Sequence, residues 1–258
     1  MRHHYLIFYP KNLIFRLIYV NNARALFVIC LKMFTFAADF SIDEGKRNKQ
    51  TPPLPHSCVP SVAYIEDMNE NVIIVDADYL DQVAFNLTVN FERMLERRVP
   101  PADMARWVEC VALDGGLREG DHKTTVVLIH DKDRHGLQNF APADYATELD
   151  GQAFAGSLGE FEFHATTGES FVTSQQLLVD TLQTVLAQQE VKRVMVVPAP
   201  QACGEVAQVV RRQAQEHQQV MLFTMQPQAS VPCRQEMLGF SLMAALGINS
   251  AEIEGKMN

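Results

Sequence analysis

Residues 72–97 read VIIVDADYLDQVAFNLTVNFERMLER, and the two halves of this stretch obey different periods. Val72 to Val75 form an unbroken β-branched run, the composition of a strand buried on both faces. From Tyr79 onward Leu80, Val83, Leu87, Phe91, Met94 and Leu95 recur at helical spacing, until Pro100 and Pro101 stop that helix and open the next. A strand buried on both faces that runs directly into an amphipathic helix is half of a βαβ unit, so a parallel sheet with crossover helices is expected. Between the halves stand Asp76 and Asp78, two acids at the tip of a buried strand.

The alternation continues toward the C-terminus. A second helix buries Met104, Trp107, Val108 and Val111 and ends near Gly115-Gly116. TTVVLI (124–129) is the second strand and FEF (161–163) the third. VTSQQLLVDTLQTVL (172–186) is an amphipathic helix capped by Thr173 or Ser174. VMVV (194–197) is the fourth strand, residues 202–216 the next helix, and VMLFTM (220–225) the fifth strand. The fold expected is therefore α/β, with a mainly parallel five-stranded sheet between helices in a Rossmannoid three-layer arrangement. The segment from Cys233, with Met237, Leu238, Phe240, Leu242, Met243 and Leu246 before Gly247, reads as one apolar helical tail over 233–258. Leu238, Leu242 and Leu246 share a stripe suited to covering the sheet edge or to pairing two copies.

Residues 1–67 read differently. Tyr5, Phe8, Tyr9, Phe15, Tyr19, Phe27, Phe34, Phe36 and Phe40 crowd a stretch without strand or helix period, and Pro52, Pro53, Pro55 and Pro60 follow. Lys11, Arg16, Arg24 and Lys32 interrupt every apolar run, which disfavours a secretory signal or a membrane span of roughly 20 apolar residues. The reading adopted is a non-domain extension ahead of a true start at Met68, with residues 68–258 as one domain.

The whole chain of 258 residues is 47% hydrophobic and 21% charged, enough to bury a substantial core. Residues 1–67 hold 8 of its 22 Lys and Arg but only 5 of its 31 Asp and Glu, which leaves 14 against 26 and a net charge of −12 from Met68 onward. Such a surface repels phosphate backbones, so RNA would bind only through a local site and no broad nucleic-acid face is expected. The 5 cysteines make no CxxC pair and no zinc spacing, which fits free thiols in the cytoplasm. No Walker loop, GxGxxG, HExxH or GxSxG occurs.

In open α/β sheets ligands collect beyond the carboxyl ends of the strands, where loops and helix N-termini converge. Asp76 and Asp78 follow the first strand, HDKDRHG (130–136) the second, and His164 with Thr166 the third; the fourth is followed by the nearly neutral PAPQACGE (198–205). Candidate binding residues are thus His130, Asp131, Asp133, His164 and Thr166. Each has a plainer reading: Asp76 and Asp78 as helix caps, the 130–136 cluster as a solvated loop, His164 as a rim or core histidine. Cys203, at a helix start, would be a nucleophile if exposed there.

The order of acidic-tipped strand, two helices, strand, short strand, helix with an inner Asp, strand, helix and strand resembles the NYN branch of the PIN-like ribonucleases, over roughly residues 71–226. VTSQQLLVDTLQTVLAQQEVKRVMVV (172–197) carries most of the likeness. The resemblance implies that Asp76, Asp78 and Asp180 are the catalytic acids and would hold Mg²⁺ or Mn²⁺ for phosphodiester cleavage. The chain departs from that pattern at two places. Pro198-Ala199-Pro200-Gln201-Ala202 replaces the family's Ser-Gly-Asp-Ser-Asp-like run, and Tyr79 stands where an Asn is usual. With part of the anionic cage missing, the expectation is a degenerate nuclease scaffold that acts as a binding or interaction module. The alternative is an active metal-dependent ribonuclease or phosphodiesterase in which Asp131 or Asp133 replaces the missing acid.

Overall fold

A computed structural model describes residues 68–168 and 172–257, and the expectations for residues 1–67 lie outside them. Strand β1 (Asn71–Asp76) is buried along its whole length. It pairs in parallel with β3 (His122–His130) on one side and β7 (Arg193–Val197) on the other. A strand enclosed on both edges and both faces has no solvated position, which is why four β-branched residues in a row are tolerated here. Helix α1 (Ala77–Leu95) starts without a linker, because Asp76 is its N-cap and accepts the Tyr79 amide at 3.0 Å. Asp78 in its first turn and Arg93 in its last both suit the helix dipole.

The remaining elements alternate as the periodicity indicates, with short additions. They are β2 (Ala102–Asp103), α2 (Met104–Asp114), β4 (Phe140–Ala141), a π-helical turn (Tyr145–Leu149), β5 (Ala153–Gly156), β6 (Gly159–Thr167), α3 (Ser174–Ala187), α4 (Cys203–Gln213), β8 (Gln219–Thr224), β9 (Arg234–Met237), α5 (Leu238–Ala245) and α6 (Ser250–Met257). Thr173 caps α3 through the Gln176 amide. The main sheet has seven strands in the order β5-β6-β3-β1-β7-β8-β9, all parallel except β5, which runs antiparallel to β6. Five strands was therefore an undercount. The two extra strands are edge strands of four residues each, AFAG and RQEM, with no β-branched residue to announce them. β2 and β4 form a separate two-stranded ribbon.

The period-two alternation sorts the core onto two faces. Val72, Ile74, Val127, Ile129, Val194, Val196, Val220 and Leu222 form one cluster with the inner sides of α3 and α4. The intervening residues face α1, α2 and α5; Met195 comes so close to Gly115, at the end of α2, that a Cβ there would collide with its thioether. Two helical layers thus enclose a mostly parallel sheet.

The tail departs from the single helix expected. β9 comes first, then α5, and Gly247 in the left-handed region (φ 65) separates α5 from α6. Leu238, Leu242 and Leu246 are wholly buried where α5 packs on α2, α1 and β8, so this stripe is core and not a surface for a second copy. Among the described residues no helix is long and apolar enough to cross a membrane.

Candidate functional site

The strand order places the topological switch point beside β1: the chain leaves β1 toward β3 and β6, then returns to β7 on the other side. In such sheets the crevice lies at the carboxyl ends of the strands that flank the switch. Asp76 ends β1 there, only 4% exposed. Burial, reinforced by the charges of Asp78 and Asp131, pushes its carboxyl up to about 6, against the pull of the Tyr79 and Ala199 amides.

Asp78 and Asp131 lace this corner together. The Asp131 amide donates to Asp78 Oδ2 at 2.7 Å, and Arg134 Nε lies 3.6 Å from Asp78 Oδ1. Burial raises the Asp78 pKa; the Asp131 amide, then Arg134 and His130, oppose that shift. From the first turn of α3, Ser174 Oγ reaches Asp131 Oδ1 at 3.5 Å.

His130, the last residue of β3, is 9% exposed and stacked on Tyr145, with ring centroids 3.9 Å apart and planes 10° from parallel. Its Nδ1 lies 3.0 Å from the Asp131 carbonyl oxygen. A carbonyl can only accept, so Nδ1 carries the hydrogen; in the neutral form of the ring Nε2 would then be the acceptor, and it has no hydrogen-bond partner among the described residues. Tyr145 is positioned by the π-helical turn, whose entry is a reciprocal cap. Asp144 accepts the Thr147 amide at 2.9 Å, and Glu148 accepts those of Ala143 and Asp144 at 2.8 and 3.1 Å. Burial, with Asp78 nearby, drives the Tyr145 phenol above its usual range, so it stays protonated.

Asp81, one turn beyond Asp78 and 6% exposed, is an acid the sequence reading missed. Its Oδ1 accepts the Gln138 and Asn139 amides at 3.0 and 2.8 Å and the Asn139 side chain at 3.1 Å. The signal was present: Asp81 shares the buried phase of α1 with Ala77 and Ala84, and a charge in that phase needs partners.

The structure thus gathers Asp76, Asp78, His130 and Asp131, and adds Arg134, Tyr145 and Ser174. Thr166 lies beside Ile129 near the end of β6, and Asp133 is exposed on the loop. Two expected site residues stand apart. His164 lies within β6 opposite Val127, its Nε2 3.5 Å from Glu162, because β6 follows β3 on to Thr167 instead of ending at Phe163. Asp180 accepts the Gln176 side chain at 2.9 Å, and six residues beyond Ser174 carry it roughly 9 Å along α3. The nucleophile reading of Cys203 is also corrected: the thiol is buried against the Ala199 carbonyl, and burial raises its pKa away from thiolate.

The acids do not fit a divalent cation as arranged. Both oxygens of Asp78 face protein donors, Asp180 is elsewhere, and among the described residues no group of three or more His, Cys, Asp and Glu side chains is placed to hold a metal.

Asp76 gives a test by pH. A carboxyl whose native pKa is about 6, against 3.8 as the ordinary value, binds more protons folded than unfolded between those values, so it subtracts stability as pH rises through 4–6. Asn caps a helix as well as Asp does and carries no charge. Asp76→Asn should therefore raise stability at pH 7 by about 1–2 kcal/mol and by much less at pH 4, read by urea unfolding at both values. A loss of stability at pH 7 would contradict this burial.

Residues 66–253 match the model of a family of unknown function, DUF6621, and the chain belongs to that family. No curated protein and no solved structure matches it.

Proposed function

We propose that this domain is a degenerate NYN/PIN-like scaffold that acts as a binding module at the carboxyl ends of β1 and β3. The observation that carries the reading is the engagement of Asp78: one carboxylate oxygen takes the Asp131 amide and the other faces Arg134. A carboxylate used this way ties the loop after β3 to α1 and has a protein donor beside each of its oxygens. What is left for a ligand is His130 Nε2, Ser174 and the rim of Asp131, a set that favours a hydrogen-bond-donating partner. Asp76 supports a ligand role in a second way, since a cap alone would be served by Asn without a buried charge.

The runner-up, a metal-dependent ribonuclease or phosphodiesterase, is favoured by one fact. The charges of Asp78 and Asp131 raise the Asp76 carboxyl pKa and that of Asp131 raises Asp78's, a repulsion that Mg²⁺ or Mn²⁺ would relieve if Arg134 swung away. The two readings separate in one experiment. Incubation with single-stranded RNA and millimolar Mn²⁺ is expected to give no metal-dependent cleavage, and calorimetric Mn²⁺ titration no saturable binding. Turnover that Asp76→Asn abolishes would establish the nuclease instead.

A further inference from the structure

The fold leaves two polar atoms unused beyond the tip of β3. Among the described residues, the fully sealed side-chain atoms without a hydrogen bond are Trp107 Nε1, Thr124 Oγ1 and Arg193 Nε. His130 Nε2 and the Tyr145 hydroxyl also lack a partner among them, on residues only 9% and 3% exposed. Neither atom is sealed, so the little of each residue that reaches the surface includes it. The charges of Asp78, Asp81 and Asp76 bear on the Tyr145 phenol, and that of His130 bears on Asp78, which places both atoms on the acidic side of the stacked rings. Asp131 follows His130 in the chain and is exposed; its Oδ1 meets only the Ser174 hydroxyl, at 3.5 Å. One corner thus holds three groups with hydrogen-bonding capacity to spare.

We propose, building on the binding-module reading above, that this corner receives a primary ammonium group, which donates its three N–H bonds to the Asp131 carboxylate, His130 Nε2 and the Tyr145 phenol oxygen. Charge disfavours an anion. The loop after β3 is balanced, with Asp131 and Asp133 against Lys132 and Arg134, so Asp76 and Asp78 leave the corner with surplus negative charge. Arg134 shows the same preference from within the chain, its Nε standing 3.6 Å from Asp78 Oδ1.

Geometry separates ammonium from other cations. A divalent ion needs several ligand atoms converging on one point at roughly 2.0–2.6 Å, and among the described residues no group of three or more His, Cys, Asp and Glu side chains does this. An ammonium nitrogen takes hydrogen bonds of about 2.7–2.9 Å in diverging directions, so its acceptors stand farther apart and come one from each neighbour. A guanidinium is served best by both oxygens of one carboxylate in a planar fork. No carboxylate here offers that: Asp78 has a donor beside each oxygen, Asp76 is met by the Tyr79 and Ala199 amides, and Asp131 shares Oδ1 with Ser174.

The test is titration of the full chain with propylammonium chloride near neutral pH, followed through the ring nitrogen resonances of His130. A saturable shift of Nε2 is expected, with a dissociation constant on the order of 1–10 mM for so small a ligand. Tetramethylammonium, which carries the charge without an N–H, should leave the resonance in place. Tyr145→Phe should weaken propylammonium about threefold and Asp131→Asn at least about tenfold. Both should keep the wild-type melting temperature, because the phenol is unpartnered and Asp131 ties the loop through its amide and not its carboxylate. No shift at about 50 mM propylammonium overturns the proposal. So does an equal response to tetramethylammonium, or a response that Asp131→Asn leaves intact. Acetamide and inorganic phosphate separate this result from the wider reading. A His130 shift with either, and none with propylammonium, overturns the ammonium ligand and keeps the binding module; silence with every probe together with Mn²⁺-dependent RNA cleavage overturns both.

Discussion

Gly159→Ala is expected to be the most damaging single-methyl change in the domain, lowering stability by at least about 4 kcal/mol and the melting temperature by about 8–16 °C. Gly159 opens β6 directly opposite His122 of β3, with φ at +112°, in a region that residues with a side chain hardly occupy. A Cβ built there falls inside the His122 backbone, against both its carbonyl oxygen and its amide nitrogen. Backbone cannot rotate aside as a side chain can, so β6 would have to leave its register with β3. That register brings Thr167 level with His130 and so shapes the edge of the candidate site. Gly151 is the control: its φ is also positive (+69°), but a Cβ there meets nothing within 4 Å. Gly151→Ala should then cost only backbone strain, about 1 kcal/mol, or 2–4 °C. Similar melting temperatures for the two variants would mean that the β3–β6 pairing is not as tight as described.

This contrast also marks how far the sequence could be read. The interior strands were legible because enclosure on both faces demands unbroken apolar runs, and VIIV, TTVVLI, VMVV and VMLFTM announce themselves. β5 and β9 were not, since a short edge strand paired on one side needs only backbone hydrogen bonds and carries no compositional mark. The tail was misread because nine apolar residues in fourteen (233–246) fit one helix, and nothing local shows that Arg234–Met237 pairs with β8.

Legibility at the site follows the same division. Asp76, Asp78, His130 and Asp131 could be named because adjacency to a strand end fixes position to within a residue or two. Asp180 could not be placed, since helical periodicity gives the side of a helix but not the height along it. Arg134 and Tyr145 come from a connection whose course is set by tertiary bonds: Tyr145 reaches His130 only because the Asp144–Glu148 cap holds a π-helical turn beneath it. Residues 131–144 carry no period and thus no prediction of that path.

Asp81 shows most directly how that path is held, and Asp81→Ala is expected to remove about 3 kcal/mol. Asp78 anchors the loop after β3 at its start, through the Asp131 amide, while Asp81 anchors it seven and eight residues later, through the amides of Gln138 and Asn139. Truncating Asp81 leaves two backbone donors without their acceptor and the Asn139 side chain with only the Asp81 carbonyl at 3.3 Å, in a place where the carboxylate was almost wholly buried. Each orphaned donor costs about 1–3 kcal/mol, partly recovered where water enters. Asp81→Asn keeps an acceptor oxygen at the same position but loses the charge assistance and adds an NH₂, so it should cost about 1 kcal/mol. Hydrogen exchange gives the local readout: in Asp81→Ala the Gln138 and Asn139 amides should exchange at least tenfold faster, while those of β1 follow only the global loss. Because Tyr145 follows on the same connection, the His130–Tyr145 stack should loosen too, visible as line broadening of the His130 ring resonances. An Asp81→Ala protein within 1 kcal/mol of wild type, with Gln138 and Asn139 still protected, would show that the loop is held by the Asp78–Asp131 bond and the π-helical cap, and that the second acid of the pair is dispensable to the site.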